Sequence, residues 1–293
     1  MRLAIALLFA LTPLAVAAEF EDVTITTTPV SGSIYMMQGA GGNLAVSVGE
    51  DGVVLIDDQF APLSERILAA IAELSDKPVS FVINTHWHFD HTGGNENLGA
   101  HGSTIIAHEN VRERMSRDGH IKALDYHVPA SPESALPVIT FNDRATIHFN
   151  GEAITAYHTP GAHTDGDSII HFPDSNVIHM GDDYFNGSYP FIDRSSGGSV
   201  QGLIDAVQKG LGLCTAGTQV IPGHGPLTNC AGLESYGQMV ADAAGKIQNL
   251  IDQGMTLEQV IAARPTAATD EELGKGFIKP EQFVMFIHQS LTE

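Results

Sequence analysis

Residues 83–96 read INTHWHFDHTGGNE. Three histidines and an aspartate, His86, His88, Asp90 and His91, fall within six positions of this stretch. The run before them, VSFVINTH, is short and apolar, as in a buried strand, so the cluster begins where a strand ends. Residues two apart in an extended segment point to the same side, and His86 and His88 can therefore hold one ion together. Asp90 and His91 follow as the chain turns through TGG, where glycine lets the backbone bend. They need not face the same ion, and the spacing suggests two adjacent metals sharing one loop.

More ligands are needed, and the chain offers His163 in TPGAHTDGDS, Asp182 in HMGDDYF and His224 in IPGHGP. Each follows an apolar run and lies near glycine, the pattern of a loop at a strand end. Three histidines and a solvent molecule give Zn²⁺ its open tetrahedral site. A second set of Asp, His and His would hold a second ion, with a carboxylate bridging the two. Such ions, roughly 3.5–4 Å apart, clamp a hydroxide nucleophile, and zinc lowers the pKa of bound water to about 7. The remaining strand-associated histidines, His108, His148, His158, His171 and His179, read as packing or surface residues.

Around these segments the chain alternates strand pairs with helices, twice over. Gly-rich turns break the β-branched runs between residues 32 and 58, a hairpin pattern. APLSERILAAIAELSDKP carries Ile67, Leu68, Ile71 and Leu74 at helical spacing and stops at Pro78. Residues 118–140 hold three prolines and read as a long surface excursion. An Asn-Gly turn falls at 150–151, a polar Gly/Ser loop at 186–199 and a helix near 200–212, and the last sixty residues are mostly helical. The reading is one α/β domain over residues 19–293, with helices covering both faces of packed sheets.

Residues 1–18 are set apart. Arg2, an apolar run and an Ala15-x-Ala17 pattern form a secretory signal peptide, which places the mature chain in the periplasm. No later segment has the ~18 consecutive apolar residues of a membrane span. The formal net charge is −21, which disfavours nucleic acid and other polyanions as partners. Cys214 and Cys230 flank TQVIPGHGPLTN and form either a brace across it or two buried thiols.

HWHFDH at 86–91, GAHTDGD around His163, MGDD around Asp182 and PGHG around His224 occur in an order that resembles the metallo-β-lactamase superfamily of hydrolases. The resemblance covers roughly residues 23–230 and implies an αββα sandwich with a metal cleft at one edge of the sheets. It implies that His86, His88 and His163 hold a first zinc and Asp90, His91 and His224 a second. Asp182 matches the bridging aspartate of glyoxalase II-like members, and Asp57 matches a carboxylate that orients the site.

Two departures qualify the resemblance. Well-known secreted β-lactamases of this fold carry cysteine at the Asp182 position, and a carboxylate there widens metal choice toward Fe or Mn. Di-iron oxidoreductases of the fold usually have Glu where His88 stands, so His88 favours hydrolysis. The implied reaction is attack of metal-bound hydroxide on an acyl carbon of a small molecule, with Asp90 accepting a proton. The signal peptide favours a β-lactam or similar cyclic amide over cytoplasmic thioesters. Lactone, ester or thioester hydrolysis is the alternative, and a non-catalytic zinc-binding protein is the reading of another class. Met36 and Met37 in YMMQGAGGN, Trp87, Tyr184 and Phe185 either line the cleft or pack in the core.

Overall fold

The computed structural model describes residues 20–293, so segment 1–18, expected to be a signal peptide, lies outside the described residues. Nine strands precede residue 142: Thr26–Ser31 (β1), Ile34–Gln38 (β2), Leu44–Gly49 (β3), Gly52–Ile56 (β4), Val79–Ile83 (β5), Thr104–His108 (β6), Gly119–Ile121 (β7), Tyr126–Val128 (β8) and Ile139–Phe141 (β9). Seven of them form a sheet in the order β1-β2-β3-β4-β5-β6-β9, and β7 pairs with β8 alone. Residues 118–140 are thus more than a surface excursion. A small hairpin forms there, and its Ile121 is buried against Trp87 and Val111 in one core.

Six further strands, Arg144–Phe149 (β10), Glu152–His158 (β11), Ser168–Phe172 (β12), Val177–His179 (β13), Gln219–Ile221 (β14) and Thr228–Asn229 (β15), make a second sheet in chain order. β4, β5 and β6 run parallel in the first sheet, and β13 and β14 in the second.

The period-two alternation of strand side chains sorts the apolar residues into three layers. In GVVLI, Val54 and Ile56 face the space between the sheets, with Ile83, Ile170, Phe172 and Ile221. Val53 and Leu55 point the other way and bury Ile67 and Ile71 of the helix Ser64–Ala72. On the far side, Ile169, Ile178 and Val220 of the second sheet meet Leu203, Val207, Leu233, Val240 and Phe283 from three helices. Those helices are Val200–Leu213, Cys230–Asp252 and Pro280–Thr292. The order is helix, sheet, sheet, helix, an αββα sandwich. Each fully buried aliphatic side chain contributes about 1.5–3 kcal/mol to holding the layers together.

Met36 belongs to the layer between the sheets and Met37 to the layer under the first helix, at 2% and 0% exposure. Of the two readings the sequence left open for them, the structure takes the core. Successive residues of one strand fill opposite faces, so neither is free to meet a ligand. Cys214 and Cys230 are bridged, joining the end of one helix to the start of the next across the segment that carries His224. No helix among the described residues is long and apolar enough to cross a membrane.

Candidate metal centre

Parallel strands leave their C-terminal ends at a common edge, where loops gather functional groups. Asp57 follows β4, and His86, His88, Asp90 and His91 follow β5. Asp182 follows β13 and His224 follows β14, while His163 sits in the turn between β11 and β12. Both sheets therefore supply the same edge.

There, all seven expected ligands meet in two groups. His86, His88, His163 and Asp182 each offer a ligand atom within 4.8 Å of the others, as do Asp90, His91 and His224. Asp182 faces both groups. Its Oδ1 lies 3.1 Å from His91 Nε2, and its Oδ2 lies 3.4, 3.5 and 3.8 Å from Nε2 of His224, His163 and His86. Asp90 Oδ2 stands 3.3 Å from His224 Nε2 and 3.6 Å from His91 Nε2.

The hydrogen bonds behind the histidines fix which nitrogen faces inward. His163 Nδ1 donates to the Phe191 carbonyl at 2.7 Å. His91 Nδ1 donates to Asp57 Oδ2 at 2.8 Å. Asp57 also accepts the Thr85 N–H and hydroxyl, at 2.7 and 2.8 Å, so the role the resemblance implied for it has a geometric basis. His88 is reversed: its Nε2 donates to Asp193 Oδ2 at 3.1 Å. Its bare Nδ1 then faces the bare Nε2 of His163 at 2.8 Å. Two lone pairs at that distance repel unless a cation lies between them. His86 Nε2 is buried without a hydrogen-bond partner, a cost that a bound cation removes. The residues present fit a pair of metal ions.

Charge follows the same plan. Burial pushes the His86 imidazole well below its ordinary range and His163 down to about 4. Burial also works against a charged His91 and His224, but Asp182 and Asp90 outweigh it, raising His91 well above the ordinary range and His224 to about 10. Asp90 is lowered to about 2, because His91 and His224 overcome its burial.

The backbone approaches closely at two glycines. A Cβ on Gly42 would stand 2.1 Å from His91 Cε1, and one on Gly223 would stand 2.1 Å from Asp182 Oδ1. The turn between β2 and β3 is fastened over the site by Gly42 N–H to the Asp90 carbonyl at 3.1 Å and Asn43 N–H to the Gly223 carbonyl at 2.7 Å.

The aromatic candidates divide. Phe185 stacks on His224, with ring centroids 5.1 Å apart. Tyr184 turns away to Tyr236 in the core. Trp87 is buried with Gly119 against its ring and Arg114 over its face, the packing role. The expected packing histidines lie outside the cluster; His108 and His158 stack on each other at 3.7 Å. Sequence reading missed Phe191, which stacks on His88, and Asp193. The Asp-x-x-Ser turn in IDRSSGG was a visible local signal, but nothing local tied it to a histidine 105 residues away.

The sequence pattern of the metallo-beta-lactamase superfamily matches residues 27–227, more than half of the chain, and the chain belongs to that family. Its fold and its two groups of possible metal ligands are consistent with that family. Among relatives, the chain is 28% identical over 192 residues to a hydroxyacylglutathione hydrolase of Nitrosococcus oceani, covering 65% of this chain and 64% of that one. It is 28% identical over 172 residues to 2,4-dinitroanisole O-demethylase subunit alpha of Nocardioides sp., covering 58% of this chain and 49% of that one. The chain thus spans 64% and 49% of the length of these two relatives, less than two thirds of either. Among solved structures, the sec-alkylsulfatase Pisa1 from Pseudomonas sp. superposes with a TM-score of 0.70 at 16% identity, over 93% of this chain and 51% of that one. At that identity the likeness shows the fold alone.

Proposed function

We propose that the protein is a dinuclear zinc hydrolase that cleaves an acyl bond in a small-molecule substrate. The observation that carries this reading is Asp182, one buried carboxylate within 3.1–3.8 Å of four histidine nitrogens from both groups. Bound cations would supply Lewis-acid polarisation of the acyl oxygen and acidify a water toward neutral pH. His86, His88 and His163 would hold the first ion, Asp90, His91 and His224 the second, with Asp182 between them. Asp90, lowered to about 2, is ionised at neutral pH and is the partly exposed acceptor placed to orient the attacking water's proton. Phe185 and Phe191 wall the histidines with apolar surface, which strengthens electrostatic interactions inside the cleft.

A β-lactam or similar cyclic amide is the substrate we favour. That preference and a periplasmic location both rest on the signal-like sequence of residues 1–18. A thioester is the second reading, supported by the bridging aspartate and by the hydroxyacylglutathione hydrolase among the relatives.

The test is hydrolysis by zinc-loaded mature protein of a chromogenic cephalosporin, a lactone and an acyl-glutathione thioester, each with and without EDTA. EDTA-sensitive cephalosporin turnover supports the first substrate, and thioester turnover alone replaces it. Asp182→Asn should cost more than about 100-fold in kcat/KM, because losing an outer partner of a metal ligand already costs 10–100-fold. Zinc-loaded protein inert on all three substrates would favour a non-catalytic zinc-binding role.

A further inference from the structure

Asp193 lies outside the ligand set and is fully buried. Its carboxylate is crowded with donors. Oδ2 receives the His88 Nε2–H at 3.1 Å and the Ser196 hydroxyl. Oδ1 receives the Ser195 hydroxyl and the Ser196 N–H. The backbone N–H of Asp193 donates to the His163 carbonyl at 3.0 Å. One residue thus holds the ring of one ligand and the main chain of another.

The consequence lies in the tautomer. A carboxylate can only accept, so His88 carries its proton on Nε2 and turns Nδ1 toward His163. His91 and His163 do the opposite, donating from Nδ1 to Asp57 and to the Phe191 carbonyl. The Thr85 hydroxyl likewise sits at His86 Nδ1, leaving Nε2 to face inward. Only His88 among these four is backed through Nε2. Asp193 contacts ligands of the first group alone, whereas Asp57 meets His91 of the second directly and His86 of the first only through the Thr85 hydroxyl.

We propose that Asp193 is the positioning residue of the first metal group. It fixes the Nδ1-facing tautomer of His88 and seats His163, while the Ser195 and Ser196 hydroxyls lock its own orientation. The proposal rests on the dinuclear reading. It assigns the hold on His88 and His163 to the 193–196 turn, with no direct contact to Asp57.

Two measurements test it. The first is a zinc titration against a chromophoric chelator for wild type, Asp193→Asn and Asp57→Asn, with thermal melting alongside. Asp193→Asn should weaken one ion by about 10–100-fold and leave the other within about twofold, and Asp57→Asn should weaken the other ion. Unchanged affinities in Asp193→Asn, or an equal loss of both ions with a lowered Tm, would overturn the proposal. The second measurement is the histidine ring ¹⁵N spectrum of wild type, with and without zinc, which requires no variant to fold. With and without zinc, His88 should appear as the Nε2–H form and His163 as Nδ1–H, and with zinc bound His91 should also be Nδ1–H; an Nδ1–H form of His88 sinks the idea. Uptake of fewer than two ions by wild type would defeat the dinuclear reading, and the ion-free spectrum would still judge Asp193.

Discussion

In the first ligand group the histidines are almost completely buried, and burial keeps His163 neutral down to about pH 4. In the second group His224 and Asp90 keep 31% and 23% of their side-chain surface exposed, and carboxylates hold His224 protonated up to about pH 10. Both groups share Asp182. They differ in depth and in carboxylate count, since His91 alone contacts Asp57, Asp90 and Asp182. The first group presents lone pairs ready for a cation. The second keeps protons where a cation would sit, and a metal must displace them. One cleft edge thus holds two sites with the same residue types and opposite proton demands.

The largest effect expected from attacking this contrast comes through the disulfide. Cys214 and Cys230 are 16 residues apart and enclose His224. Replacing both with serine should cost about 3 kcal/mol of stability by the loop-entropy estimate, read as a lower Tm, and should loosen the second ion while sparing the first. Equal loss of both ions would show that the groups do not respond separately.

Gly42→Ala should act next. The added methyl meets His91 Cε1, and such overpacking costs about 1–3 kcal/mol. Calorimetric titration should show the second ion weakened and the first retained.

The smallest effect is with pH, and its sign differs between groups. His224 is raised to about 10, above the ordinary 6.5. Its proton stabilises the ion-free fold fully below pH 6.5, and that contribution fades as pH rises through 10. A cation competes with this proton, so the second ion should bind more tightly as pH rises, by at most about tenfold per unit for each proton displaced. His163, lowered to about 4, does the reverse: the fold loses stability as pH falls from 6.5 toward 4. Metal counts after dialysis should therefore show the second ion leaving first on acidification, and both leaving together would erase the contrast.

What could be read in the sequence follows from range. The six-position cluster after VSFVI needed only local periodicity, and its placement beyond β5 follows from it. The β-branched run in GVVLI likewise marked a strand of the expected hairpin pattern. The partition of Met36 and Met37 between two cores was hidden, because a two-sided buried strand shows no alternation of polarity. Phe191 and Asp193 were hidden for another reason. Their loop reads as polar Gly/Ser sequence, and only the packing of the second sheet's connections against the first sheet's β5 loop gives them meaning. Tyr184 and Phe185 are adjacent in sequence, yet one faces the core and the other the cleft, a choice made by backbone direction after the Gly181–Asp183 turn.

The ligands come from loops of two different sheets: His86, His88, Asp90 and His91 from one, His163, Asp182 and His224 from the other. Any ion they share acts as a rivet between the two halves of the sandwich. Its binding free energy is then folding free energy, about 2.7 kcal/mol per site when free metal stands at a hundred times its dissociation constant. The lifetime of this protein against proteases would rise and fall with the metal supply around it, through the same groups that give it chemistry.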